Sequence, residues 1–152
     1  MSNNQLIIGC INKLNKQNDI PALYSFLFLY ETELKTSVGL FDIENKELKD
    51  FLQKNQIYLG ALNKTDEKKS KKYEWHILYR QNINDKISKN DKVHHLLRHI
   101  RNSIANCTIK KERGNIFLLT DKKSNGENTM EGRIKVDLFY SLIENLIKTK
   151  KL

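Results

Sequence analysis

A shortage of turn-forming residues is the feature that most restricts how this chain can fold. Its 152 residues include one proline and six glycines, whereas many-stranded sandwiches and barrels use these residues at most of their turns. The abundant residues are Leu, Ile, Lys, Glu and Asn, which favour helices joined by polar loops. The length suits one domain spanning residues 1–152, large enough to bury a core without metal or disulfide cross-links.

Hydrophobic residues recur at helical spacing along most of the chain. Asp19-Ile20-Pro21 separates the first two helices, because proline suits the first turn of a new helix. The segment Tyr73–Tyr79 alternates briefly like a strand but continues to Ile83 at helical spacing, and we predict a helix there. The predicted helices are Ile7–Leu14, Leu23–Val38, one following Asp42 with apolar residues as far as Leu62, Tyr73–Tyr79, one capped at Asn90 or Asp91 and reaching Cys107, and one from Asp137 to Ile147.

The pattern changes after Arg113-Gly114. Ile116–Thr120 and Arg133–Val136 are short apolar segments typical of strands, and the polar loop between them contains the turn dipeptide Asn125-Gly126. These segments predict a β-hairpin at about residues 115–136. The predicted fold class is therefore a mainly α helical bundle with one β-hairpin before the C-terminal helix.

The chain is basic, with 27 Lys and Arg against 18 Asp and Glu and a formal net charge of +9. Two dense lysine runs, Lys64–Lys72 and Lys148–Lys151, carry much of this excess. Such runs are commonly solvated loops or fraying termini. The functional alternative is attraction to the phosphate backbone of a nucleic acid.

Neither a membrane nor a secretory route is indicated. No stretch approaches the roughly 20 apolar residues of a membrane-spanning helix, and the N-terminal residues lack the basic and apolar regions of a signal peptide. Cys10 and Cys107 are far apart and show no metal-ligand spacing. We therefore expect a cytoplasmic protein with reduced thiols and no membrane partner.

The helix that ends near Cys107 carries two contrasting faces. One face is an apolar stripe, and a neighbouring arginine, Arg101, lies at its boundary. The opposite face holds His95, Arg98, His99, Asn102 and Asn106.

Three interpretations of this polar face stay open. It can be a solvated helix surface, which needs no further explanation. It can be a metal site, because His95 and His99 are four residues apart, but the glutamate of a zinc-protease motif is missing and the arginines repel a cation. It can also hold a ribose-phosphate through its many hydrogen-bond donors.

The segment His99–Asn106 resembles the signature helix of HEPN domains (higher eukaryotes and prokaryotes nucleotide-binding), whose motif is R-N-x-x-x-H. Arg101 matches the arginine and Asn102 the favoured polar residue, and the segment Ser103–Ala105 is similar to the usual small and apolar filler. Position 106 holds Asn instead of the motif His. The resemblance is most specific over about residues 91–147.

That resemblance implies a function. HEPN domains are helical bundles that commonly dimerise, with two copies of the motif across one cleft. Many are metal-independent endoribonucleases of toxin–antitoxin or anti-phage systems, in which the RNA 2′-hydroxyl attacks the adjacent phosphorus. RNA is then the expected partner, a cognate antitoxin is a further one, and no cofactor is expected.

The resemblance also implies roles for individual residues. Arg101 would stabilise charge on the phosphate, Asn102 would orient the arginine or the phosphate, and the histidine of position 106 would move a proton or hold the scissile phosphate. Apart from the resemblance, the polar face itself predicts that His95, Arg98 and His99 contact RNA.

Asn106 makes cleavage doubtful, because an amide does not titrate near neutral pH. We expect an activity that is low or absent. Either the chain is a natural degenerate member of the family, or Asn106 is a deliberate His→Asn change that spares the expression host. The rival hypotheses are a non-catalytic module that binds RNA or a protein partner, and a helical adaptor unrelated to the family.

Overall fold

A computed structural model describes residues 19–37, 39–81 and 91–151. Within them lie five α-helices, one turn of 3₁₀ helix and five strands. In chain order these are α1 (Asp19–Thr32), the 3₁₀ turn (Leu34–Thr36), α2 (Lys46–Lys54), β1 (Ile57–Ala61), α3 (Lys64–Ser70), β2 (Trp75–Tyr79), α4 (Lys92–Ala105), β3 (Ile109–Glu112), β4 (Ile116–Lys122), β5 (Asn128–Lys135) and α5 (Val136–Lys148).

The strands form one mixed sheet in the order β1-β2-β5-β4-β3. β1 and β2 are parallel and are joined through α3, while the other neighbouring pairs are antiparallel. The fold is therefore α+β, and the predicted fold class, a mainly α bundle with one hairpin, is wrong. The predicted hairpin itself is confirmed as β4 and β5, and the predicted closing helix as α5.

Two of the predicted helical regions contain strands. The predicted helix through Leu62 ends at Lys54, and β1 follows it. The predicted helix Tyr73–Tyr79 is β2, which lies between β1 and β5 with four of its five residues buried. A central strand covered on both faces is apolar nearly throughout, so its alternation is short and weak, and the helical spacing that continues to Ile83 outweighed it in the prediction.

The low glycine content led to a prediction of too few strands, because residues other than glycine occupy left-handed turn positions in this chain. Gln56, Cys107 and Asn115 all have φ values near +60°, a region that glycine usually fills. Gln56 precedes β1, Cys107 precedes β3, and Asn115 forms the turn between β3 and β4 with Gly114. Counting glycines therefore underestimated the number of strand connections.

Other segments also differ from prediction. The predicted helix Leu23–Val38 is α1, which begins earlier and ends at Thr32. The lysine run Lys64–Lys72, whose ordinary interpretation was a loop, contains α3. The predicted helix Ile7–Leu14 lies outside the described residues. Cys107 is disulfide-bonded, although the sequence had predicted a reduced thiol.

The hydrophobic core lies between the sheet and helices α1, α4 and α5. α4 packs against both α1 and β4, so that helix is central to the domain. None of the helices in the described ranges has the length and apolar character needed to cross a membrane.

Candidate nucleic-acid site

Helix α4 is buried around most of its circumference. Asp91 begins it by accepting a hydrogen bond from the His94 backbone N–H at 2.9 Å, and its other carboxylate oxygen accepts one from Gly39 at 2.5 Å. The predicted apolar stripe is confirmed as core, and polar side chains that the sequence placed opposite it are buried as well. The buried residues of α4 are Val93, His94, His95, Leu96, Leu97, His99, Ile100, Ser103 and Ile104.

The remaining face of α4 reaches the surface and includes both arginines and both asparagines of the motif region. We call this face the α4 strip, and at about 100° per residue it covers a sector of about 140°. Its members are Arg98, Arg101, Asn102, Ala105 and Asn106, of which Ala105 and Asn106 are exposed and the others half-buried. Ala105 leaves room between the longer side chains.

Arg101 is held from two sides. Its Nε donates to Glu31 of α1 at 3.0 Å, and its Nη1 donates to the Asn102 side-chain oxygen at 3.1 Å. Glu31 also accepts a hydrogen bond from Lys35 at 3.0 Å. The hydrogen bond from Lys35, with a further contribution from Arg101, lowers the pKa of Glu31.

Asn102 connects this surface arginine to a buried charge. Its Nδ2 donates to Asp121 Oδ2 at 3.2 Å, and the same oxygen lies 2.8 Å from His99 Nδ1. Because Asp121 takes the NH₂ end of the Asn102 amide, the oxygen end must face Arg101. Asp121 thereby fixes the orientation of the amide and, through it, the position of the guanidinium.

His99 and Asp121 form a buried pair. Their side chains are 1% and 6% exposed, respectively, and His99 Nε2 lies 3.0 Å from the Arg80 carbonyl oxygen. Both imidazole nitrogens therefore lie within hydrogen-bonding distance of an oxygen atom. Burial opposes ionisation of Asp121, but the hydrogen bonds from His99 and Asn102 outweigh it and lower the pKa of that carboxyl.

Asp121 is not among the site residues predicted from the sequence, although the sequence contains a signal for it. The predicted strand ends at Thr120, and Asp121 falls in the predicted loop. β4 continues to Lys122, and its alternate residues Phe117, Leu119 and Asp121 are all buried. Side chains two residues apart share a face of a strand, so extending the alternation by one step would have placed Asp121 in the core opposite α4.

The proposed RNA contacts occupy different environments. His95 is fully buried, and neither ring nitrogen has a hydrogen-bond partner in the part of the chain that the structure describes. Burial lowers the pKa of His95, with a smaller contribution from Arg98, so burial and the nearby guanidinium both favour the neutral form. Arg98 is half-buried. Burial raises the pKa of the nearby Tyr30 phenol, and the positive charge of Arg98 offsets part of that rise.

Asn106 lies at the end of α4, where it caps the helix. Its backbone N–H donates to Asn102 at 2.9 Å, and its exposed side chain makes no hydrogen bond with the residues described. The structure therefore brings Arg98, Arg101, Asn102 and Asn106 to one surface, and it places His95 and His99 beneath that surface.

This surface suits a phosphate better than a metal ion. No group of three or more metal-ligating side chains occurs among residues 19–37, 39–81 and 91–151, and two guanidinium groups stand where a cation would approach. Arg101 has five N–H donors, and its two hydrogen bonds within the described residues leave three available. An anion at the strip would meet positive charge and free donors together.

The protein is therefore an α+β domain built around the mostly buried helix α4, whose exposed side is the α4 strip. A family model described as HEPN pEK499 p136 matches residues 3–150, and the chain therefore belongs to that family. The resemblance of α4 to the HEPN signature is thus confirmed at the level of the domain. Comparison with curated proteins and with solved structures yields no match.

Proposed function

We propose that this protein is a HEPN-type, metal-independent endoribonuclease scaffold that binds RNA at the α4 strip and cuts it weakly or not at all. One observation carries the proposal: Arg101 and Asn102 stand together at the surface, connected to the buried Asp121–His99 pair. Membership of a HEPN family supports it. The resemblance further suggests a role in toxin–antitoxin or anti-phage defence and a cognate antitoxin as partner. We also propose a cytoplasmic location, although a disulfide such as that of Cys107 is uncommon in that compartment.

A phosphate can bind the three free donors of Arg101, and it can also take the place of Glu31 as the partner of Nε. In the free protein Glu31 accepts from Nε of Arg101. A phosphate can replace this carboxylate while Glu31 keeps its ion pair with Lys35. Asn102, fixed by Asp121, holds the guanidinium in place during the exchange, and charge-assisted hydrogen bonds to a phosphate are stronger than neutral ones.

Proton transfer is the step that this chain lacks. Asn106 can donate a hydrogen bond from the position of the motif histidine, but its amide does not take up or release a proton near neutral pH. His99 cannot replace it from its present position, because that ring is buried and both nitrogens are engaged. His95 is also buried.

Arg101→Ala should weaken the binding of single-stranded RNA by about 10-fold or more, because a hydrogen bond to a charged group contributes about 1.5–3 kcal/mol. The slope of log affinity against log salt should also decrease by about 0.7, the value for one phosphate contact. Fluorescence anisotropy at several salt concentrations measures both quantities. Arg133→Ala is the matched control, since Arg133 is likewise half-exposed and paired with a surface glutamate, Glu112.

The rival proposal is a non-catalytic module that binds RNA or a protein through another surface. It predicts tight, salt-sensitive binding that Arg101→Ala barely changes. An equal effect of Arg101→Ala and Arg133→Ala would therefore favour the rival and exclude the α4 strip as the main contact.

We also propose that the protein is a homodimer in which α1 brings two α4 strips together. Tyr24 and Phe28 of α1 are 55% and 73% exposed, and they lie on one helix face because they are four residues apart. Glu31 continues that face and pairs with Arg101. A two-fold contact through this aromatic pair would place one strip beside the other.

Phe28→Asp should convert the dimer to a monomer, because it places a charge in the centre of the proposed apolar contact. Sedimentation equilibrium measures the change in mass. Leu40→Asp is the control, since Leu40 is 41% exposed but lies outside α1. A parent protein that is monomeric, or a dimer that Phe28→Asp leaves intact, would contradict this arrangement.

A further inference from the structure

A second basic surface lies on α3, away from the α4 strip. Helix α3 packs against β1 and β2, whereas α4 packs against α1 and β4. The lysines of α3 belong to the Lys64–Lys72 run. Strands β1 and β2, on which α3 packs, lie at the opposite end of the sheet from β3 and β4.

Helix α3 carries two acidic residues, Asp66 and Glu67, and Asp66 is turned away from the lysines. Asp66 Oδ2 accepts from the Ala61 backbone N–H at 2.7 Å, and its Oδ1 accepts from the Tyr58 hydroxyl at 3.0 Å. Asp66 therefore serves the end of β1. It does not neutralise the neighbouring lysines.

The lysines themselves gather on one side. At about 100° per residue, extending the helical spacing through the residues that follow α3 places Lys64, Thr65, Lys68, Lys69 and Lys72 within a sector of about 140°. These five residues line a surface groove of about 490 Å³. We call them the lysine groove, and all of them are exposed.

The lysines of the groove form no salt bridge with another residue in the described ranges. Glu67 is exposed on the adjoining side of α3, so one carboxylate stands beside four ammonium groups and the groove keeps a net positive charge. Like charges three or four residues apart on a helix destabilise it by a few tenths of a kcal/mol per pair, and an anion in the groove would relieve that repulsion. A concave surface with four mobile ammonium groups suits successive phosphates, which need point charges more than fixed geometry.

We propose that the lysine groove is a second RNA-binding surface that holds the phosphate backbone of a strand whose other part lies on the α4 strip. The proposal rests on the proposed function for its partner, since RNA is the polyanion expected at α4. Contacts of this kind carry no base specificity, and they increase affinity in proportion to the number of phosphates neutralised. The groove therefore lengthens the bound segment without selecting its sequence.

The test replaces the four lysines with glutamine, as Lys64→Gln, Lys68→Gln, Lys69→Gln and Lys72→Gln in one variant. Binding is measured by anisotropy with a 6-nucleotide and a 25-nucleotide single-stranded RNA over a range of salt. For the long RNA the slope of log affinity against log salt should decrease by about 3, because each phosphate contact contributes about 0.7 for single strands. Affinity at low salt should decrease at least 10-fold, while binding of the short RNA should change little.

The matched control makes the same change at four lysines of α2 and α5: Lys46, Lys49, Lys54 and Lys148. This control removes equal charge and should leave the slope for the long RNA nearly unchanged. Circular dichroism establishes that both variants are folded. Equal slopes for the two variants would overturn the lysine groove, since net charge alone would then explain the loss.

The outcomes also separate this proposal from the α4 strip. A long RNA that depends on Arg101 but not on the four lysines overturns the lysine groove alone. Dependence on the lysines without dependence on Arg101 supports the groove as an RNA-binding surface but overturns the strip, and with it the placement of one strand across both surfaces. No RNA binding by the parent protein overturns both, and binding of anionic phospholipid vesicles through these lysines in its place would identify a membrane surface as the partner.

Discussion

Asn106→His is expected to increase RNA cleavage by about 10²–10⁴, the usual contribution of a general acid or base. The substitution supplies an imidazole, which titrates near neutral pH, at the exposed end of the α4 strip. Arg101 and Asn102 are already held at that surface by Asp121. The gain should appear in the presence of EDTA, because the proposed reaction uses no metal ion.

Two controls isolate the effect of the imidazole. Asn106→Gln keeps an amide and should remain inactive. Asn55→His places an imidazole at the end of α2, where Asn55 caps the helix with a backbone conformation close to that of Asn106. Cleavage by Asn55→His equal to that by Asn106→His would show that the location of the histidine is unimportant, which would contradict the proposed site.

Asp121→Ala is expected to lower the free energy of unfolding by about 3–5 kcal/mol, because it removes a buried carboxylate and leaves two buried or half-buried polar groups without their acceptor. His99 Nδ1 and the Asn102 amide would both lose the acceptor they share. Urea denaturation at pH 7 measures the change. Glu127→Ala, which removes an exposed carboxylate paired with Arg80 and Lys123, should change stability by less than about 0.5 kcal/mol.

The stabilisation by Asp121 should also depend on pH. Its pKa in the folded protein lies below the ordinary value of 3.8, so the ionised carboxylate contributes fully above about pH 4. The contribution is lost as pH falls through the folded pKa. The difference in stability between the parent and Asp121→Asn should therefore be constant from pH 7 to pH 5 and decrease below pH 4. A difference that stays constant down to pH 3 would contradict an ionised Asp121 in the fold.

Local patterns predicted some elements of this fold well. The core stripe of α4, the hairpin of β4 and β5 and the closing helix α5 each depend on spacing within one segment, and spacing is visible in a sequence. β1 and β2 were predicted as helix because the pairing of β1 with β2, and of β2 with β5, joins residues far apart in the sequence. The left-handed conformations of Gln56 and Cys107 are likewise imposed by the surrounding structure, since neither residue type indicates them.

The sequence also predicted part of the candidate site, namely the residues that lie on one helix. The resemblance to the HEPN motif identified Arg101, Asn102 and position 106, and all three lie on the α4 strip. Helical geometry placed His95 and His99 on the same face, but it could not show that other elements cover this part of the helix. Glu31 and Asp121, which hold Arg101 and Asn102, come from α1 and β4, so their contribution depends on tertiary packing.

Single-turnover cleavage of RNA in EDTA by three proteins tests the central claim most directly: the parent chain, Asn106→His, and Asn106→His combined with Arg101→Ala. If the α4 strip is one catalytic site, Asn106→His alone should cut efficiently. Adding Arg101→Ala should then remove about 10²–10³ of that rate, a loss comparable to that of one preorganised donor to a developing oxyanion. Equal rates with and without Arg101, or no cleavage by Asn106→His, would contradict the account.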